Sequence, residues 1–277
     1  MYKYTRNYYG PVRACVLDWS GTVIDKYSIA PVSALMKTFA DLGIETTADE
    51  IRGSMGIRKD KHIEDVLKIP NIEKQWIKNN NSKPDKEDIK IIMELYKEQQ
   101  LNCIHDYTNI IPHVKRTLSS LRNRKKIKLA GTTGFTKDIT KQIMKDTIKQ
   151  GLAFDAFVSG DDVANGSRPN PFMLYRCMEI LNIPEIKSIV KIDDTVSGIH
   201  EGLNAGCWTV GIAQYSNYMN INDPKTTILH DLNYQIKLNG CKDKFIEAGA
   251  HYTINNITEL PKIISDINNK LNLGIKP

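Results

Sequence analysis

The hydrophobic positions of the chain alternate between short continuous apolar runs and longer segments with apolar residues at helical spacing. Each continuous run is followed by a small or polar turn, which is typical of strands buried in a parallel sheet. Strands that alternate with helices form right-handed βαβ units, so the pattern predicts a parallel α/β sheet. The predicted strands lie at 12–17, 126–131, 156–159, 188–192, 208–212 and 251–254.

Residues from about 27 to 105 interrupt this alternation, because helical patterns alone fill the segment. Pro31 opens a first helix, Thr47 and Glu50 form a capping box for a second, and Asp85 begins a third, long helix. The sequence therefore predicts an α/β core domain, 1–26 and 106–277, with an inserted all-helical domain, 27–105. Residues 213–248 are polar and give no clear pattern.

Composition places the chain among ordinary soluble globular proteins, with 277 residues, 41% hydrophobic and 25% charged. The 38 basic and 32 acidic residues give a net charge of +6 that is spread along the chain. This mild excess suits a small anionic substrate, and no nucleic-acid-binding motif accompanies it. No stretch has the length of a membrane span, so neither nucleic acid nor membrane is expected as a partner.

The cysteines indicate the compartment. Five of them are present, far apart and without a C-x-x-C pair, which favours free thiols in a reducing environment. The N-terminus has no apolar segment of the kind found in secretory signals. We therefore expect a cytoplasmic protein.

Chemically useful side chains follow four of the predicted strands or their loops. Asp18 ends the first strand, Thr133 the second, Arg168 lies in a later loop, and Asp193 and Asp194 end a further strand. The carboxyl ends of parallel strands meet at one edge of the sheet, so these groups are expected to converge. Paired carboxylates suit Mg²⁺, and a hydroxyl with a guanidinium suits a phosphoryl group. Taken singly, each also fits a bland interpretation as a turn residue, a surface charge or a helix cap.

The order of these motifs resembles the haloacid dehalogenase superfamily, and further segments are similar to its phosphonatase (phosphonoacetaldehyde hydrolase) branch. The resemblance spans nearly the whole chain. It implies a Rossmann-like core, a helical cap, Mg²⁺ and an aspartate nucleophile. The similar segments are 17–22, 55–62, 132–136, 191–199, 201–211 and 249–254, of which the cap motif that contains Lys59 is the most specific.

The resemblance also implies roles for individual residues in hydrolysis of the C–P bond of phosphonoacetaldehyde, a small phosphonate, to acetaldehyde and phosphate. Lys59 would form a Schiff base with the aldehyde and His62 would assist proton transfer. Asp18 would attack phosphorus and give an aspartyl phosphate. The metal ligands would be Asp18, the Ser20 backbone carbonyl and Asp194, and the substrate-binding residues Thr133, Gly134, Arg168, Met55 and Ser28. The resemblance further implies a homodimer joined through the caps.

Lys59 decides the substrate, because breaking a C–P bond leaves an electron pair on carbon that a protonated imine can accept. The amine has to be neutral near pH 7, so we expect burial or the flanking cations Arg58 and Lys61 to lower its pKa. Without the resemblance, a lysine in such a charged run is most simply a solvated helix residue.

Several positions depart from the expected pattern, and two other functions stay open. Ser20 replaces both the aspartate of phosphatases and the alanine expected for the phosphonatase branch. Phe135 replaces a tyrosine, and Gly198 an aspartate for which Asp193 could compensate at the metal. The loop 165–168, which contains Arg168, is about one residue longer than the resemblance implies. The alternatives are a Mg²⁺-dependent phosphomonoesterase without imine chemistry and a catalytically silent binding protein.

Overall fold

The computed structural model describes residues 7–223, 225 and 231–277. Within them, six strands form a sheet in which all pairings are parallel. In chain order the strands are β1 (Ala14–Leu17), β2 (Lys128–Thr133), β3 (Ala156–Ser159), β4 (Ile189–Asp193), β5 (Trp208–Ile212) and β6 (Tyr252–Ile254). Their order in the sheet is β3-β2-β1-β4-β5-β6, which confirms the predicted parallel α/β class.

The first strand lies at the centre of this sheet, between β2 and β4. Leu17 is in register with Gly131 on one side and Ile192 on the other. The carboxyl ends of the three strands therefore coincide, which brings the loops that follow them to one edge.

Eleven α-helices occur in the described residues. Six of them, α1 to α6, lie between β1 and β2, and the other five connect or follow the remaining strands. They are α1 (Ile29–Asp41), α2 (Ala48–Arg52), α3 (Lys59–Leu67), α4 (Pro70–Asn80), α5 (Lys86–Cys103), α6 (Val114–Lys125), α7 (Lys137–Lys149), α8 (Phe172–Leu181), α9 (Val196–Ala205), α10 (Leu232–Glu247) and α11 (Leu260–Asn272).

The buried apolar side chains form separate clusters around the sheet and among the inserted helices. Apolar side chains cover both faces of the sheet, as a fully parallel sheet requires. A separate buried cluster, which includes Phe39, Trp76 and Tyr96, lies among helices α1 to α5. The proposed domain boundaries stay a prediction, but the inserted helices do bury an apolar core of their own.

The sequence pattern did not predict helices α4 and α10, because both are largely polar. In α4 only Ile72 and Trp76, four residues apart, are fully buried, because most of the helix is polar and faces solvent. In α10 the buried face consists of Tyr234, Leu238, Cys241 and Phe245. This face has helical spacing, but the residues between its members are polar or charged and hid the pattern.

The capping box predicted for α2 is confirmed. The backbone N–H of Glu50 donates to Thr47 Oγ1 at 3.2 Å, and the backbone N–H of Thr47 donates to Glu50 Oε2 at 2.8 Å. All five cysteines are free thiols, as expected. Among the described helices, none combines the length and apolarity that a membrane span requires.

Candidate active site

Asp18 follows β1 directly and lies in a tight turn. Its backbone N–H donates to Ile192 O at 2.9 Å, which extends the pairing with β4 by one residue. Gly21 in this turn has a φ of 83°, and a Cβ atom built on it would lie 2.4 Å from Asp194 Oδ2. Glycine is required here because any side chain would collide with that carboxylate.

Three buried carboxylates meet at this edge of the sheet. Oxygens of Asp18, Asp193 and Asp194 lie within 4.8 Å of one another. Burial, reinforced by the neighbouring carboxylates, raises the pKa of both Asp18 and Asp194. A buried set of oxygen donors whose charges repel one another fits a hard divalent cation such as Mg²⁺.

Asp194 is held from three directions. Ser216 Oγ donates to the Asp194 backbone carbonyl at 2.7 Å, and the backbone N–H of Asn217 donates to Asp194 Oδ2 at 3.0 Å. Thr22 Oγ1 donates to Asp194 Oδ1 at 3.3 Å. Ser216 and Asn217 were missed in the sequence, because they lie in the polar stretch that follows β5. Their position after a parallel strand is the signal that could have found them.

Asp193 has other partners. Thr195 donates to Asp193 Oδ1 from its backbone N–H at 3.0 Å and from Oγ1 at 2.7 Å, while Lys191 Nζ lies 3.1 Å from Oδ2. A Cβ atom on Gly198 would lie 1.9 Å from this carboxylate. Asp193 thus occupies the space where a side chain at 198 would begin. Compensation for Gly198 at the metal stays a prediction.

Arg168 reaches Asp18 despite the longer loop. Its Nη2 lies 2.6 Å from Asp18 Oδ1 and also donates to Thr132 O and Oγ1, at 3.0 and 2.9 Å. Its Nε lies 3.0 Å from Glu201 Oε2, which Lys191 Nζ approaches to 2.9 Å. Thr132, Lys191 and Glu201 were not singled out in the sequence. A lysine inside a buried strand was their signal, since lysine is almost never buried unpaired.

Ser20 has a hydrogen-bond partner outside the group of three buried carboxylates. Its hydroxyl donates to Asp25, which in turn accepts from the backbone N–H groups of Ile29 and Ala30 at 3.0 and 3.2 Å. Asp25 therefore caps the first turn of α1 with its carboxylate. The Ser20 hydroxyl connects the turn after β1 to the beginning of the helical insert.

The predicted cap residues come together on the other side of the site. Lys59, the first residue of α3, is 5% exposed. Its Nζ lies 3.1 Å from His62 Nδ1 and 3.8 Å from Met55 Sδ. His62 Nε2 lies 2.7 Å from Ile51 O, and a carbonyl can only accept, so Nε2 carries the hydrogen. His62 Nδ1 therefore presents a lone pair to Lys59.

The pKa of the Lys59 amine is low enough for a large fraction of it to be neutral near pH 7. Burial lowers the pKa of Lys59 to about 7, and the Asp18 carboxylate opposes that shift. The suggestion that flanking cations contribute was wrong. Arg58 forms an ion pair with Asp60, and Lys61 pairs with Glu64 at 2.7 Å, both on the protein surface. Burial and the Lys59 charge lower the pKa of His62 to about 3, so this ring is neutral.

A cavity of about 40 Å³ lies between the two groups of residues. Pockets that enclose drug-sized ligands measure roughly 300 to 1,000 Å³, so the residues of the site are packed close together in this structure. A larger depression, about 650 Å³, lies on the insert surface and contains none of the predicted site residues. The small cavity is lined by Asp18, Ser20, Ser28, Pro31, Met55, Gly56, Ile57, Lys59, Thr133, Gly134, Phe135, Arg168 and Thr195.

Comparison with known proteins agrees with this geometry. Residues 15–212 match the family model described as haloacid dehalogenase-like hydrolase. The chain is 34% identical to a phosphonoacetaldehyde hydrolase of Paraburkholderia xenovorans, with 96% of this chain and 99% of that protein aligned. It is 36% identical to one of Bacillus mycoides, over 92% and 96% of the two chains. A phosphonoacetaldehyde hydrolase-like protein from Oleispira antarctica superposes over 100% of both chains with a TM-score of 0.95 and 33% identity.

The buried amine gives a stability prediction. The pKa of Lys59 falls from 10.5 to about 7 on folding, so the unfolded chain binds the proton more tightly. The resulting loss of stability is complete below pH 7 and vanishes as the pH rises toward 10.5. We expect Lys59→Met to be more stable than wild type at pH 7, by on the order of a few kcal/mol, with a gain that shrinks by pH 10.

Thermal denaturation followed by circular dichroism between pH 6 and about 10 measures this difference. Lys61→Met is the matched control, because Lys61 is exposed and should leave the pH dependence of wild type unchanged. An equal pH dependence in Lys59→Met and wild type would contradict burial of the amine.

Proposed function

The chain belongs to the haloacid dehalogenase-like hydrolases and, within them, to the phosphonoacetaldehyde hydrolase family, and we propose that it hydrolyses the C–P bond of phosphonoacetaldehyde to acetaldehyde and phosphate. One observation carries the proposal. The amine of Lys59, with a pKa of about 7, lines the same small cavity as the carboxylate of Asp18. A phosphate ester requires no such amine, whereas an aldehyde β to phosphorus does.

The first step is condensation of Lys59 with the aldehyde. Its neutral Nζ attacks the carbonyl carbon, and loss of water leaves a protonated imine. The neighbouring His62 Nδ1 carries a lone pair at 3.1 Å from Nζ, so it can take the proton that the attacking nitrogen loses. In the described residues no carboxylate pairs with Lys59, so no ion pair has to break before the attack.

The second step is attack of an Asp18 oxygen on phosphorus. The P–C bond breaks, and its electron pair forms the C=C bond of an enamine while the iminium nitrogen becomes neutral. Protonation on carbon and hydrolysis of the imine release acetaldehyde, and water then hydrolyses the aspartyl phosphate. Arg168, 2.6 Å from Asp18 Oδ1, is placed to meet phosphonate oxygens, together with Thr133 and Gly134 in the cavity wall.

Mg²⁺ fits the same edge of the sheet. Asp18 and Asp194 would supply carboxylate oxygens and Ser20 its backbone carbonyl. The bound ion would offset the negative charge of the phosphonate beside these carboxylates. The protein contributes the fixed positions of Asp194, held by Asn217 and Thr22, and of Asp18, held by Arg168.

The position of Ser20 argues against a phosphomonoesterase. That chemistry benefits from an acid that protonates the leaving oxygen, and a serine cannot perform this function at neutral pH. Its hydroxyl is moreover bonded to Asp25. An enamine leaving group does not need the acid, which agrees with the presence of Lys59.

We propose further that two copies associate through their helical inserts. The depression on the insert supports this, because its walls combine apolar Leu67, Ile89 and Met93 with charged residues around them. Sedimentation velocity should show a dimer for wild type and a monomer for Ile89→Lys. Ile148→Lys, at an exposed position on α7, should remain dimeric. A monomeric wild type at all concentrations would reject this assembly.

The activity is tested by incubation with phosphonoacetaldehyde and Mg²⁺, followed by measurement of phosphate and acetaldehyde. Wild type should release both in equal amounts. Lys59→Arg should lose C–P cleavage by about 10³-fold or more while keeping its fold, since arginine retains the charge but forms no imine. Asp18→Asn should be equally inactive.

Borohydride trapping separates the alternatives. Added with substrate, it should inactivate wild type and leave a mass adduct on Lys59, and it should leave Lys59→Arg unmodified. Release of phosphate from simple phosphate esters, with no adduct and no acetaldehyde, would instead identify a phosphomonoesterase. A wild type with neither activity would be a binding protein.

The pH dependence follows from the state of the amine. Lys59 with a pKa of about 7 is protonated in acid, so the rate of imine formation should rise with pH until about 7 and then level off. His62 contributes no second step in this range, because its pKa is about 3. The rate of borohydride inactivation at low substrate concentration reports this profile. A rate that still climbs tenfold per unit between pH 8 and 9 would show that the amine is an ordinary lysine.

A further inference from the structure

Arg52 is a buried cation with no role in the chemistry above. It ends α2 in the helical insert and is 5% exposed. Its Nη1 donates to Tyr27 O at 2.6 Å and to Asn217 Oδ1 at 2.8 Å, and its Nη2 donates to Ile221 O at 3.1 Å and to Asn222 Oδ1 at 3.0 Å. One guanidinium thus joins the insert to the chain segment that enters it and to the loop after β5.

The loop that Arg52 contacts is also hydrogen-bonded to the acidic cluster, which consists of Asp18, Asp193 and Asp194. Asn217 Oδ1 accepts from Arg52, and Asn217 Nδ2 donates back to Arg52 O at 3.3 Å. The backbone N–H of the same Asn217 donates to Asp194 Oδ2 at 3.0 Å. Two consecutive hydrogen bonds therefore connect a residue of the insert with a carboxylate of the proposed metal site.

Asn222 gives an internal comparison. It also accepts from Arg52, but it is exposed and its hydrogen bond does not continue to the acidic cluster. Any effect that depends on the connection to Asp194 should therefore follow Asn217 and not Asn222.

We propose that Arg52 is a positioning residue that couples closure of the helical insert to Mg²⁺ binding, through Asn217 and Asp194. This inference rests on the proposed function, since it takes Asp194 as a metal ligand. Closure places the guanidinium against Asn217, which fixes the N–H that orients Asp194. Movement of the insert away from the core withdraws the guanidinium and frees Asn217 and Asp194.

Coupling of this kind acts in both directions. If closure improves the metal site, bound Mg²⁺ has to favour the closed arrangement by the same factor. Typical coupling between two sites is about 5- to 150-fold in affinity. Through this coupling, Asp194 would be held in place when closure of the insert brings Lys59 to the site. Asp194 would be released when the insert opens and product leaves.

The test compares Mg²⁺ affinity by titration calorimetry on the full chain, with hydrogen exchange at residues 52–57 as a second readout. In Arg52→Lys and Asn217→Ala the dissociation constant for Mg²⁺ should rise about 5- to 50-fold. Lysine keeps the charge but cannot span four acceptors. In wild type, Mg²⁺ should slow exchange at 52–57, and in both variants this protection should be lost.

Asn222→Ala is the matched control and should stay within about twofold of wild type in both measurements. Circular dichroism establishes that each variant is folded. Folded Arg52→Lys with wild-type Mg²⁺ affinity, or an Asn222→Ala effect as large as that of Asn217→Ala, would overturn the coupling. Failure to release acetaldehyde, with the Mg²⁺ differences intact, would remove the substrate proposal alone. Normal turnover with equal dissociation constants would remove the coupling alone.

Discussion

The site depends on a concentration of buried charge at the carboxyl ends of β1 and β4. Asp18, Asp193 and Asp194 lie together there, and Glu201 lies just beneath them. Removing such groups from water costs several kcal/mol each unless they are paired. Arg168 and Lys191 provide that pairing, with contacts of 2.6 to 3.4 Å to Asp18, Asp193 and Glu201. Two cations do not balance four carboxylates, and the remaining negative charge is what makes the edge suitable for a divalent ion.

The helical insert contributes a lysine in a different environment, where burial lowers the pKa of the amine to about 7. Among the described residues Lys59 has no carboxylate within ion-pair distance, and its closest polar partner is the neutral ring of His62. A water-excluding contact between insert and core thus lowers the pKa of the amine, while the charged cluster across the cavity holds Asp18. The two halves of the chemistry require different environments, and the boundary between insert and core is where both are available.

Much of this arrangement could be predicted from the sequence, because strand ends and motif spacing are local features. Thr133 ends a strand, Asp18, Arg168 and Asp194 lie after strands, and the parallel sheet brings the four together. Residues that act through long-range contacts could not be found in that way. Glu201 lies in the middle of a helix, and its partner Lys191 sits in a strand, so neither position suggests the other. Arg52 is a single cation in a charged segment, and only the fold shows that it reaches a loop about 165 residues away.

The cost of burying unpaired charge also bears on the residue at position 20, which is a serine. A side chain two residues after Asp18 can point either into the cavity or toward the insert. Here its hydroxyl is bonded to Asp25, which caps α1, the first helix of the insert. A carboxylate in its place would face the carboxylate of Asp25 in a buried setting, where two like charges repel strongly. The serine therefore agrees with the connection between core and insert as well as with the enamine leaving group of the proposed reaction.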